Sequence, residues 1–530
     1  MRCKSRNRRP VLKPADVAAS PHEAVLIDYR RREVSALAMG GAHKLERRKA
    51  AGVLNARERI AYLCDPGSFI ESGLFGTSAT NPAVHDQTPA DGKITGFGRI
   101  AQRDAALVVN DFTVMGASSS ATNGRKIGHM KQVATRRGLP LVFLGESSGA
   151  RMPDTMGSGG MGALLGNDAT QYLRTRETPW ASATLGYSYG SSSWYGVLSD
   201  FCVIRKGAVL AVSSALLTSL ATKEEVDPEL LGGWRVHAEV TGFADLVVDS
   251  DEQALDAIKQ FLSYLPGHHK EAPPVHAVPV GSGAGMASIV DLLPARRTQV
   301  YDVRNIVRTI VDLDSLFELK AKFGKVAVTG LARLGGHAVG IVANNPLVKG
   351  GALDTDACEK ITSFLVLCDS FNIPVITFVD TPGFVIGAEA ERKRAPGKIM
   401  NMMNAIALMT VPKLSVILRK SYGQAYLNMG GGKNSDEVAA WPTAEVSFMD
   451  PRFAVKVVHG LDADDAGFDG ALAEMNRGSE VWDAASIFAV QSVIDPSSTR
   501  DYLIRMLDLH RCRMTHAVGE HRLANWPTSY

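Results

Sequence analysis

Two apolar runs dominate the hydrophobic pattern, LPLVFL at residues 139–144 and IPVITFV at 373–379. Unbroken apolar stretches of this length are expected of parallel strands covered on both faces. Each run is preceded by a segment with helical spacing, near 126–137 and 360–371, and ends in small residues. Further upstream, TGFGRIAQRDAALVVNDF reads as strand, turn, strand, followed by a glycine loop. Strands alternating with helices predict an α/β layered fold. Helical periodicity in HKLERRKAAGVLNARERIAYLCD places the start of the folded region near His43.

The pattern occurs twice. Thr95-Gly96 and Thr329-Gly330 open matching segments offset by 234 residues (330 − 96). The offset holds without a gap for Arg99/Arg333, Asn110/Asn344, Gly116/Gly350, Lys126/Lys360, Pro140/Pro374 and Gly149/Gly383, and Glu146 pairs with Asp380. It becomes 233 for Pro179/Pro412, Ser188/Ser421, Tyr189/Tyr422 and Gly190/Gly423. Chance does not keep Gly, Pro, Asn and Lys in register this way, so the chain is read as an internal duplication. The Pro- and Gly-rich segment 266–285 joins the halves, with His268 and His269 expected to face solvent.

Composition narrows the class. A net charge of +3 on 530 residues is too balanced to point to nucleic acid, and no apolar run is long enough for a membrane span. The six cysteines make no Cys-x-x-Cys and no zinc-like spacing, so reduced thiols in a cytoplasmic protein are expected, with no metal. The basic opening MRCKSRNRRP lacks a secretory core; it is read as a disordered tail, with an organelle transit peptide as the alternative.

Three motifs point elsewhere on weaker grounds. Gly96, Gly98 and Ala101 fit a dinucleotide fingerprint, but a strand follows where a helix is required, so a turn is the better reading. GYSYG at 186–190 fits a nucleophile elbow around Ser188, yet the second copy reads RKSYG, which favours a repeated structural turn. GSGGMGALLG at 157–166 lacks Gly-Lys-Ser/Thr and is read as a flexible lid.

What remains is two strand ends rich in small residues, with no obvious nucleophile. Such backbone suits a hole of N–H groups for a developing oxyanion or enolate. At this point RERIAYLCDPGSFIE (57–71), DFTVMGASS (111–119), ESSGAR (146–151), ARLGGHAVGIVANNP (332–346), LCDSFNIPVITFVDTPGF (367–384), RKSYGQAY (419–426) and AAWPTAEVSFMDP (439–451) closely resemble the carboxyltransferase (β) subunits of biotin-dependent acyl-CoA carboxylases, propionyl-CoA carboxylase type. The resemblance covers roughly residues 40–520.

The resemblance implies two tandem crotonase-like domains, assigned here to 41–280 and 281–530 after a tail over 1–40. It implies CO2 transfer from carboxybiotin to the α carbon of an acyl-CoA, through two anions held in backbone oxyanion holes. The biotin-side pair maps to Ser148 and Gly149, and the thioester-side pair to Gln424 and Ala425. Gly116, Ala117, Ala150, Gly383, Phe384, Tyr422, Gly423 and Leu427 are implied to line the biotin and acyl-CoA sites. Two positions depart from the family pattern: Ser148 and Gln424 replace glycines, so the Ser148 N–H serves only if its φ is negative. Leu427 stands where many propionyl-CoA enzymes carry Asp. No biotin-attachment motif is seen, so a biotin carboxylase and a biotin carrier are expected partners, alongside a homohexamer. The alternatives are a biotin-dependent decarboxylase subunit, a hydrolase using Ser188, or a silent scaffold.

Overall fold

The computed structural model describes residues 22–79, 81–165, 171–512, 514 and 516–527. The first half builds one eight-stranded sheet: β1 Ile70–Glu71, β2 Lys93–Ile100, β3 Arg103–Asn110, β4 Leu141–Ser147, β5 Trp180–Tyr189, β6 Phe201–Arg205, β7 Val209–Ala211 and β8 Leu246–Val248. The second builds another: β9 Phe317–Leu319, β10 Ala327–Leu334, β11 His337–Asn344, β12 Val375–Thr381, β13 Lys413–Tyr422, β14 Glu437–Ala440, β15 Glu445–Ser447 and β16 Ser492–Val493. The first runs in the order β1-β2-β3-β4-β5-β6-β8 with β7 on β5; the second is β9-β10-β11-β12-β13-β14-β16 with β15 on β13.

The registers repeat residue for residue. Ala106 faces Leu141 in one sheet and Gly340 faces Val375 in the other; Leu141 faces Trp180 and Val375 faces Lys413. The same register irregularity falls between Gly145 and Ser147 and between Val379 and Thr381. The chain is two α/β units built on one pattern.

Six helices matter here: α1 Glu23–Leu37, α2 Ala121–Arg137, α3 Ser191–Leu198, α4 Asp251–Tyr264, α5 Thr355–Ser370 and α6 Gln424–Asn428. Ser120 and Asn123 form a capping box at the start of α2, and Gly138 ends it in the left-handed conformation (φ 72°). Asp354 caps α5 at the equivalent place. Between these caps Lys126 and Lys360 each gather three backbone carbonyls. Lys126 reaches Gly73, Ala90 and Lys93 at 3.0, 2.8 and 2.5 Å; Lys360 reaches Lys320, Phe323 and Ala327 at 2.9, 3.1 and 2.7 Å.

Helix α4 lies at the seam between halves. Phe261 stacks on Phe201 at 4.6 Å, Phe201 meets Phe317 of the second half at 5.8 Å, and Tyr264 donates to the Ser315 carbonyl at 2.6 Å. One continuous apolar cluster runs through both halves.

Several expectations need correcting. Within the tail expected over 1–40, Glu23–Leu37 is helical; residues 1–21 lie outside the described residues. Gly157–Leu164, expected as a flexible lid, is an exposed helix; Gly166 lies outside the described residues. His268 and His269 are partly buried, because the C-terminal segment folds back over them. His269 stacks on His521 at 4.8 Å and meets His268 edge-on at 4.5 Å. Burial, with its two histidine neighbours, pushes the His269 imidazole down to about 4. The Gly96–Ala101 stretch is a strand and hairpin turn, with Ala101 and Gln102 at positive φ.

Candidate functional site

Each half brings a glycine loop against the start of a short helix. In the first, β4 ends at Ser147 and Gly149 follows at φ 101°. A side chain at Gly190 would lie 3.9 Å from the Gly149 Cα, so the loop and the start of α3 touch. Gly190 (φ 61°, ψ −128°) and its twin Gly423 (φ 59°, ψ −148°) occupy a backbone region essentially reserved for glycine. That turn sets the amides of Ser191 and Ser192, and of Gln424 and Ala425, in the first turns of α3 and α6. None of these four N–H groups has an acceptor among the described residues. The Ala150 and Phe384 amides are likewise unpaired, while the flanking N–H groups bridge Ser119 to Ala150 and Leu353 to Phe384.

Beneath each loop lies a left-handed turn. Met115, Gly116 and Ala117 have φ of 47°, 61° and 48°; Lys349, Gly350 and Gly351 repeat it at 48°, 62° and 88°. A non-glycine in this region costs about 1 kcal/mol, so Met115 and Ala117, on either side of Gly116, are held there by their surroundings. The Gly116 carbonyl accepts the Ser148 N–H at 2.8 Å. This changes the role expected of Ser148. Its φ is negative, as required, but its amide is spent inside the protein. The Gly149 N–H makes a 3.2 Å contact with Ser147 Oγ and Gly149 itself is buried, which leaves the exposed Ala150 as the residue of that loop with an unpaired amide.

The flanking charges are clamps. Glu146 is held by Arg48 (2.9 Å) and by the fully buried Arg59 (2.8 Å), which also pairs with Asp251 (2.9 Å). Burial alone would raise the Glu146 carboxyl, but Arg59 and Arg48 outweigh it and hold it below its ordinary value. Arg151 pairs with Asp91 at 2.5 Å and donates to Ser118. In the second half Asp380 accepts from Arg419 (2.9 Å) and Tyr301 (3.0 Å).

Tyr422 does not reach into the site. Its buried phenol donates to Glu445 at 2.5 Å and is bonded by Arg297, so it stands behind Gly423 as a wall. The Gln424 side chain turns along its own helix to Asn428 (3.3 Å) and is exposed. Leu427 is partly buried against the Gly432 turn. Ser188 is buried, and its Oγ has no hydrogen-bond partner. A nucleophilic serine needs a base within reach, so the hydrolase alternative fails. Burial pushes the Cys202 and Cys358 thiols up to about 12, which leaves them unreactive.

The sequence reading missed Ser191 and Ser192. The signal was present, since the 233-residue offset maps Gln424 and Ala425 back onto them.

Residues 47–521 match the carboxyl transferase domain family. The chain belongs to this family. It is 34% identical to the propionyl-CoA carboxylase carboxyltransferase subunit of Haloferax mediterranei, over 91% of this chain and 96% of that one. It is 33% identical to the methylmalonyl-CoA carboxyltransferase 12S subunit of Propionibacterium freudenreichii subsp. shermanii, over 92% and 94%. A transcarboxylase 12S crystal structure, a hexamer with methylmalonyl-coenzyme A and methylmalonic acid bound, superposes with a TM-score of 0.87 at 32% identity, covering 94% of this chain and 98% of that one. The family, the crotonase-like fold and the carboxyltransferase class expected from the sequence therefore stand. Among the described residues no group of three His, Cys, Asp or Glu is placed to hold a metal ion, and no helix is long and apolar enough to cross a membrane.

Proposed function

We propose that this chain is the carboxyltransferase subunit of a biotin-dependent acyl-CoA carboxylase, working with a separate biotin carboxylase and biotin carrier. The carrying observation is the pair of twin helix starts, Ser191/Ser192 and Gln424/Ala425, each with unpaired amides beside a glycine loop. Helix starts with free N–H groups stabilise anions, and carboxyl transfer to a thioester needs two of them stabilised.

The residues fit both groups. A side chain at Gly149 would meet nothing nearer than Tyr189 Cβ at 3.7 Å, so a flat ring can approach this loop closely. Gly149, Ala150 and the α3 start would hold the biotin oxygen. Gln424 and Ala425, with Gly383 and Phe384 opposite, would hold the thioester oxygen as the α carbon becomes nucleophilic. Carboxybiotin, when bound, supplies the CO2 and the base for the α-proton. The chain's own part is to fix both oxygens against backbone donors and to hold Glu146, Arg151 and Asp380 in ion pairs within the protein.

Leu427 sits two residues beyond Ala425 and presents an apolar surface where the acyl chain would lie, which favours a longer or branched acyl group. The carboxylase and transcarboxylase relatives favour transfer over net decarboxylation. A hexamer like that of the 12S relative is the expected assembly, in the cytoplasm or an organelle matrix.

The test is to mix the purified chain with methylmalonyl-CoA or malonyl-CoA, with and without free biotin, and follow carboxyl loss by mass spectrometry. Biotin-dependent loss is expected. No loss from either substrate or from a carboxylated longer or branched acyl-CoA, even with an added biotin carrier protein, overturns the proposal. Comparing kcat/KM for acetyl-, propionyl- and longer acyl-CoAs tests Leu427; a preference for acetyl-CoA refutes its assigned part.

A further inference from the structure

The first half contains a buried polar chain that the second half lacks. Lys93 stands opposite Asn110 across β2 and β3 and is 1% exposed. Its ammonium donates to the Ala117 carbonyl at 3.0 Å and to Asn110 Oδ1 at 3.3 Å. Asn110 Nδ2 then donates to Ser192 Oγ at 3.1 Å, at the start of α3. On the other side, the Ala117 carbonyl accepts from Ser147 Oγ at 3.0 Å, and that oxygen accepts the Gly149 N–H at 3.2 Å. One cation is thus linked to both arms of the first-half amide cluster.

The duplication supplies the control. Ala327 faces Asn344 at the twin positions, and Ala425 is the twin of Ser192. With neither lysine nor serine present, Asn344 Nδ2 is buried without a partner. The fold therefore does not require the chain. Nor does it need Lys93 as a tie, since Lys126 and Lys360 already fill that role in both halves. A buried ammonium is costly, and this one lies directly behind the loop assigned to the biotin oxygen.

We infer that Lys93 is a positioning residue of the first-half oxyanion site, holding its donors in place and setting a buried positive charge behind the anion that forms there. This rests on the function proposed above. The charged groups facing Lys93 are Asp91, which favours the ammonium, and Arg151 and Lys126, which oppose it; Tyr195 lines the same small cavity with Ser191 and Ser192. Burial is the largest influence and brings Lys93 down to about 7. The charge is present below that pH and lost above it.

The experiment follows biotin-dependent carboxyl loss from methylmalonyl-CoA across about pH 6 to 9 for the full chain, Lys93→Met and Ser192→Ala. The wild type is expected to lose activity as pH rises through about 7. Lys93→Met is expected to lower kcat about 10–100-fold, leave KM for the acyl-CoA within about twofold, and abolish that limb. Ser192→Ala, which cuts the far end and leaves the charge, is expected to lower kcat about 3–10-fold and keep the limb. The inference is overturned if Lys93→Met keeps the wild-type pH profile, or if both variants keep wild-type kcat. If Lys93→Met does not fold, a wild-type profile flat through pH 7 or an unaffected Ser192→Ala overturns it. A wild type without biotin-dependent loss refutes the underlying function instead, and the assignment falls with it.

Discussion

Replacing Gln424 by proline isolates one backbone donor. Gln424 is the first residue of α6, and its N–H has no acceptor within the protein. Proline is well tolerated at this helical position. The preceding Gly423 has ψ −148°, outside the helical region that proline disfavours in its neighbour. The fold loses one part-buried side-chain bond, from Gln424 to Asn428 at 3.3 Å, worth about 0.5 kcal/mol. In a chain this long that lowers Tm by about 1 °C or less. Losing an oxyanion donor, by contrast, costs about 10²–10³ in rate, or about 2.7–4 kcal/mol. Gln424→Ala keeps the N–H and is expected to stay within about threefold of wild type, which separates side chain from backbone. The assay is carboxyl transfer to acyl-CoA, with thermal unfolding measured on the same samples. Folded Gln424→Pro with activity within about threefold of wild type would refute the assignment of this amide.

Three further outcomes are expected. Ser188→Ala removes an unpartnered buried hydroxyl and should leave carboxyl transfer unchanged and Tm equal or higher; a large loss of activity would restore the nucleophile reading. Arg59→Met leaves Asp251 and Glu146 short of a buried partner, so denaturant unfolding should show a loss of about 3–5 kcal/mol; a loss below about 1 kcal/mol would mean Arg48 and Arg205 suffice. His269 titrates lower when folded than when unfolded, so the unfolded chain binds the extra proton first. Stability should therefore fall as pH drops from about 6.5 toward about 4, and His269→Phe should flatten that fall in Tm.

Much of the architecture was legible because it is local and repeated. The Gly, Pro, Asn and Lys pairs at one offset predicted twin strands, and the registers reproduce them down to the irregularity after Gly145 and Val379. The glycine loops were legible for the same reason. The fate of individual donors was not. Whether the Ser148 N–H is free depends on the Gly116 carbonyl, brought close by a turn of consecutive positive-φ residues that composition does not reveal. The clamps on Glu146 come from Arg48 and Arg59, far upstream, and a contact of that range leaves no periodicity. His269 looked like a linker residue because its cover, His521, arrives from the other end of the chain.

The seam at α4 bears on how the protein is made. Phe201 and Phe261 finish on the ribosome before Phe317 and Phe364 exist, yet all four belong to one apolar cluster. At about 5–20 residues per second, roughly a hundred residues separate the first half from its cover by about 5–20 seconds. During that interval a broad nonpolar face is open to chaperones or to other nascent chains. A first half expressed alone would keep that face exposed indefinitely, so the halves should melt together and neither should be recoverable as a soluble fragment.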